Sequence, residues 1–174
     1  DAAGGLVEFS AAGQTRTIQT NGDPFNNFIV QHGTAELTDD VTGSTIGVSY
    51  TDGTFDAWTH DIAVTATGVL GALNGTFLAP KTKAITATNP AGGLLVGEYG
   101  GVYGDATFTA GGGPITVSHL VITQDGTHVV TFTQGAGVIT VQGDMTVTEG
   151  TSGTLTFSAD PAGLIVFAGG TAQA

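Results

Sequence analysis

"TFTQGAGVITVQGDMTVT", residues 131–148, reads as a short strand, a glycine-rich turn and a second run of alternating residues. Apolar and polar residues alternate with period two on both sides of the turn, which is the spacing of a strand with one covered face. No 3.6-residue apolar face competes with it. The same plan returns along the chain. Thr-Phe pairs stand at Thr54-Phe55, Thr76-Phe77, Thr107-Phe108, Thr131-Phe132 and Thr156-Phe157, with the phenylalanines 22, 31, 24 and 25 residues apart. A second apolar mark follows each pair after seven or eight positions, at Ile62, Ile85, Ile115, Ile139 and Leu164. Between the two marks lie turn sequences such as "DAWTHD", "LAPKTKA", "TAGGGP" and "SADPAG", rich in the residues that tight turns require.

A period of about 24 residues belongs to repeat architectures. The expected fold is all-β, a right-handed parallel β-helix with coils of about 24 residues, in which the Phe and Ile positions stack as interior ladders. The alternative is an antiparallel β-sandwich or meander, each repeat a hairpin. A solenoid requires equivalent residues to fall above one another at each coil, and the near-constant register of the marks favours it. Residues 1–174 then form one domain, with a glycine- and tyrosine-rich insertion around residues 90–113 that accounts for the longest spacing. Within "FNNFIVQHGTAELTDD", residues 25–40, Phe25, Phe28 and Val30 or Ile29 are expected to point inward. Asn26 and Asn27 are expected to form a ladder at a coil corner.

Composition narrows the uses. Charged residues make up 10% of the chain, against roughly 25% in ordinary soluble domains. Arg16, Lys81 and Lys83 face 15 acids, giving a formal charge of −12. Nucleic-acid binding needs clustered cations and is excluded; an anionic membrane surface is excluded for the same reason. No apolar run reaches the roughly 20 residues of a spanning helix. The chain starts at Asp1 without a signal peptide, which suggests a processed product. Cysteine is absent, so stability outside the cell would rest on packing and hydrogen bonds.

Four segments carry a family likeness: Gln14-Thr15-Arg16-Thr17-Ile18, Phe25-Asn26-Asn27-Phe28-Ile29-Val30, Leu37-Thr38-Asp39-Asp40-Val41 and Gly53-Thr54-Phe55-Asp56-Ala57. Together they resemble segments of bacterial surface proteins with pectin-lyase-like β-helices. The resemblance covers roughly the first 65 residues and departs at residues 90–113. It implies a β-helix of the kind found in adhesin stalks, secreted surface proteins and phage appendages; it is informative about fold more than activity.

Candidate chemistry is sparse. Uronate lyases need a cation near the substrate carboxylate, and the three cations here stand apart from any acid cluster. Lys81 and Lys83 are expected in a solvated turn without a catalytic partner. Glycoside hydrolysis needs two carboxylates, for which Asp39, Asp40, Asp52, Asp56 and Asp61 are the candidates; the plainer reading is that these acids end strands and solvate turns. "YTDGTFD" places Asp52 and Asp56 around a glycine turn, a candidate structural calcium site. No other cofactor is indicated. His32, His60, His119 and His128 lack zinc spacing, although His119 and His128 lie on or near neighbouring strands. Trp58, Tyr50, Tyr99 and Tyr103 are the aromatics expected at the surface, Trp58, Tyr99 and Tyr103 as interface candidates. The end sequences "GLVEF" and "GLIVF" begin and finish apolar without a polar or helical cap, so Val7, Phe9, Ile165 and Phe167 are expected to meet neighbouring copies or structural subunits. These readings point to a non-enzymatic structural subunit at a cell or virion surface, in a surface layer, filament, appendage or virion exterior. A carbohydrate- or receptor-binding adhesin module is the alternative, with a glycan-active hydrolase third.

Overall fold

The computed structural model describes residues 5–99 and 102–169. They form seventeen strands and no helix: β1 (Leu6–Ile18), β2 (Phe25–Leu37), β3 (Val41–Asp56), β4 (Val64–Ala66), β5 (Val69–Leu78), β6 (Ile85–Ala87), β7 (Gly93–Val96), β8 (Glu98–Tyr99), β9 (Val102–Tyr103), β10 (Ala106–Thr109), β11 (Ile115–Val117), β12 (Leu120–Thr123), β13 (Val129–Gln134), β14 (Val138–Val141), β15 (Met145–Thr148), β16 (Thr154–Ala159) and β17 (Leu164–Phe167). Every pairing is parallel except β8 with β9. Parallel pairing between strands about 24 residues apart excludes the hairpin alternative and makes the chain a parallel β-solenoid of about seven turns. Among the described residues no helix is long and apolar enough to cross a membrane.

Three ladders build the solenoid. The first, here called the phenylalanine face, runs through the C-terminal parts of β1, β2, β3 and β5, then β10, β13 and β16. The second runs from the start of β3 through β4, β6, β11, β14 and β17. The third joins the earlier parts of β1, β2, β3 and β5 to β7, β12 and β15. Strand alternation sends every second side chain inward, and direct register puts like on like.

On the phenylalanine face Phe55, Phe77, Phe108 and Phe132 are fully buried and stack on one another. Centroids are 4.5, 5.4 and 5.3 Å apart, in the favourable range for offset rings. Phe157 continues the stack at 5.2 Å but is half exposed, because no described rung covers it. In the second rung Ala35 takes the ladder position opposite Phe55. Phe28, fully buried and in register with Ile46 of the third face, meets Phe55 edge-on at 5.9 Å and 75°. A small ladder residue is thus matched by a large one from across the core.

Outward on the same face, Thr15, Thr34, Thr54, Thr76, Thr107, Thr131 and Thr156 stand in unbroken register. A shorter outward column on the second face comprises Thr42, Thr65, Thr86, Thr116 and Thr140.

The second interior ladder corrects two marks read from sequence. Its members are Val41, Val64, Ile85, Ile115, Ile139 and Ile165, so Val64 and Ile165 occupy the places assigned to Ile62 and Leu164. Ile62 is buried in the turn before β4, and Leu164 is exposed. One residue of slip reverses the face of a strand side chain. Asn26 and Asn27 lie within β2 rather than at a corner, with Asn27 in register with Leu6 and Thr45. They make no asparagine ladder. Of the stretch 90–113, β7 and β10 are rungs of the solenoid, and the antiparallel β8–β9 hairpin stands between them.

Candidate functional site

The acids that sequence offered for chemistry are engaged at the corners. Asp39 accepts from the amides of Thr20 and Asn21, both at 2.7 Å, one coil back. Desolvation raises its pKa, but the combined hydrogen bonds from Thr20, Asn21 and Gly22 outweigh it and hold the carboxyl below its ordinary value. Asp40 accepts from the Ala63 amide at 2.8 Å one coil forward, and Asp105 from the Val129 amide at 2.8 Å. Asp61 accepts from the Thr82 hydroxyl and amide and from the Lys83 amide. The Thr82 hydroxyl first, then its amide, pull the Asp61 pKa down to about 2. Corner turns leave amides without ladder partners, and buried or half-buried backbone donors must find one. Carboxylates on adjacent coils supply it. Asp39 and Asp61 therefore serve different neighbouring coils.

Asp52 and Asp56, the calcium candidates, have separate partners. Asp52 meets His32 Nδ1 of the preceding coil at 2.5 Å. Asp56 is buried and accepts from the Trp58 and Thr59 amides and the Thr59 hydroxyl, closing its own turn. Among the described residues no group of three or more His, Asp or Glu side chains is placed to hold a metal ion.

The histidines also work between or within coils. His60 Nε2 lies 2.6 Å from Glu36, 24 residues away. His119 reaches the Pro90 carbonyl through Nε2 and accepts the Asp144 amide at Nδ1, both at 3.1 Å. His128 bonds Asp125 at 2.9 Å in its own turn. His119 and His128 thus have different partners.

A groove of about 440 Å³ runs along the corner after the phenylalanine face. Trp58, Thr109, Gly111, Thr133, Gln134 and Asp160 are among its lining residues. Trp58 is partly buried, and Lys81 Nζ stands 5.7 Å from its ring centroid, within cation–π range. Lys81 and Lys83 are exposed. Gln134 escaped the sequence reading. It is 4% exposed and its Nε2 has no hydrogen-bond partner. The contrast is Gln124, equally buried, whose Nε2 donates to His128 O and whose Oε1 accepts from the Gly150 amide, both at 2.8 Å. Aligning the Thr-Phe marks would have revealed Gln134: two residues after each Phe stand Ala57, Ala79, Ala110, Gln134 and Ala159.

Among the interface candidates Trp58 borders the groove, and the others fall on the two end rungs and the hairpin. Val7 and Phe9 of β1 are partly buried against the core, as is Ile165 of β17, while Phe167 is exposed. Tyr103 of β9 and Tyr50 are exposed; the Tyr99 side chain lies outside the described residues. Comparison with protein-family models, with curated proteins and with solved structures finds no match.

Proposed function

We propose that this chain is a non-enzymatic structural subunit of an extracellular assembly, joined to its neighbours rung to rung at the ends of the solenoid. The observation that carries the reading is the last described rung. Among the described residues β15, β16 and β17 each pair on one side only, and Val147, Phe157, Leu164 and Phe167 are 49, 41, 54 and 52% exposed. Thr154 and Asp160 donate back to His128 O and Gln134 O. In the alternating parallel pattern, the amides of Leu155, Phe157 and Ala159 then face the open side. Such an edge is a template for another strand. At the opposite end Leu6 is 57% exposed, and Val7 and Phe9 are only partly covered.

Joining the last rung of one copy to the first rung of the next is a heterologous contact, which propagates as a filament or closes as a ring. Use of the acids as corner caps supports a structural rather than catalytic role. The likeness to pectin-lyase-like surface proteins belongs to the same reading and favours a cell or virion surface. Electron microscopy of the purified chain tests it. A seven-rung body is about 33 Å long at about 4.8 Å per rung. Particles extended in multiples of that length are expected; uniformly single bodies at every concentration would refute the reading.

A second reading, a carbohydrate-binding adhesin module, draws on the groove with Trp58 at one edge and Asp160 and Gln134 along it. A ring and convergent polar groups suit a sugar. Retention on a glycan array, lost in Trp58→Ala, supports it; no retention of the wild type rejects it.

A further inference from the structure

The seven-threonine column on the phenylalanine face asks for more than strand propensity. β-branched and aromatic residues are all favoured at outward strand positions, yet this position is threonine in every rung. In a chain of net charge −12, the column holds no charge. Threonine is stiff at χ1, so hydroxyl and methyl can recur in the same placement at each rung. The result is a rigid lattice of donors, acceptors and methyl groups, repeating about every 4.8 Å across the strands.

A second rank sharpens the lattice over the later rungs. Thr109, Thr133 and Ser158 stand in register two residues beyond the column, about 6.6 Å along the strand. No register shift interrupts β5, β10, β13 and β16. The phenylalanine rings beneath stay within 22° of parallel at every step from Phe55 to Phe157, so the surface over them turns little from rung to rung. A separate observation sits at the border of this rank. The groove lined by Thr109, Thr133 and Ser158 also has Gln134 in its wall, with its buried Nε2 unpartnered.

We infer that the phenylalanine face binds ice through this threonine lattice. The rung spacing lies near the in-plane repeat of water oxygens along one axis of the prism face of ice. Over β10, β13 and β16 the two ranks carry only hydroxyls and methyls, which suits an uncharged lattice offering both donors and acceptors; in the earlier rungs the second rank holds Glu36, Asp56 and Leu78. Charged side chains would instead hold water in shells that do not fit the crystal. A sugar would be met by exposed aromatic planes, whereas the rings of this face point inward. A second copy would be met by a continuous apolar patch, and the column is polar at every rung. The inference is independent of end-to-end joining, because the lattice lies on a side and not at an end.

The test uses the whole chain, with ice as the probe. Crystal growth is observed in a nanolitre osmometer, and uptake into a slowly growing ice front is measured. The wild type is expected to facet the crystal, to separate its freezing from its melting temperature and to be taken up. Thr131→Tyr, which keeps a strand-forming residue but breaks the lattice, should lose all three effects. Thr116→Tyr makes the same change on the second face and should keep them. Circular dichroism checks that both variants fold; the wild-type result stands without them. Rejection of the wild type from the ice front, with unfaceted growth, overturns the inference. So does undiminished activity of folded Thr131→Tyr. If Thr131→Tyr instead abolishes binding to a crystalline polysaccharide or dissociates a dimer, while ice is unaffected by the wild type, the face belongs to that partner and the inference is likewise overturned.

Discussion

In the first four rungs, β5 (10 residues) included, the backbone turns a corner inside long continuous strands; in the later rungs it breaks into short separate ones. β1, β2 and β3 run for 13, 13 and 16 residues, with register shifts between Ser10 and Thr15, Val30 and Gly33, and Ser49 and Thr54. β10 to β17 are at most six residues long and pair without a shift. A bulge adds a residue to one strand and bends it, so glycines must stand where the bent chains meet. Gly33 has φ +74°, and a Cβ there would lie 2.2 Å from the Ala11 carbonyl oxygen. The later rungs instead rely on a repeated ladder residue. The comparison teaches that one solenoid can turn its corners in two ways, and that the two halves should fail for different reasons.

Loss of a ladder ring is the largest effect expected. Phe132→Ala removes a fully buried ring stacked on both sides and should cost about 3–5 kcal/mol in urea unfolding. Phe157→Ala, at the open end, should cost much less. Equal losses would mean that the last rung is covered. The early rungs are tested at the bend. Gly33→Ala meets both a left-handed φ and the Ala11 oxygen. Gly13→Ala has φ +67° but open space, and should cost only the conformational term of about 1–2 kcal/mol. If Gly33→Ala were no worse than Gly13→Ala, the close approach of the first two rungs would be wrong.

The smallest effect concerns corner acids. Asp61 reaches the next coil, whereas Asp125 closes its own turn through Thr127 and His128. Hydrogen bonds hold both carboxyls near 2, below the ordinary 3.8. A depressed folded-state pKa gives stability that is present above the ordinary value and lost as pH falls through about 2. Asp61→Asn and Asp125→Asn should each flatten the acid limb of the urea midpoint. Amide exchange separates them: Asp61→Asn should expose Thr82 on the following coil, and Asp125→Asn only residues of its own turn. An acid limb unchanged in both variants would remove the corner bonds from the account.

The later rungs were the more legible half. The five Thr-Phe marks stack in direct register, so counting along the chain finds the interior ladder directly. The second ladder was harder, because at two corners two apolar residues compete for one inward place; Ile62 and Val64 are both buried, and only register separates them. Phe28 was read as inward, but not its crossing to Phe55, since contacts across a core leave no period in sequence. Asp39, Asp40 and Asp61 read as turn residues in the sequence, yet their partners lie 18 to 23 positions away, a distance that becomes meaningful only once the coil length is known. The outward threonine columns were hidden within the marks themselves, because attention to phenylalanine treats its neighbours as ordinary strand residues.

Sedimentation equilibrium of the chain across a wide concentration range tests end-to-end joining most directly. Ala159→Pro removes an open-side amide of β16 and should spare the donation from Asp160 back to Gln134 O. The wild-type mass is expected to rise with concentration beyond the 17.3 kDa of one chain, and Ala159→Pro to hold it at that value. A wild type that stays at 17.3 kDa throughout, indistinguishable from the variant, would contradict it.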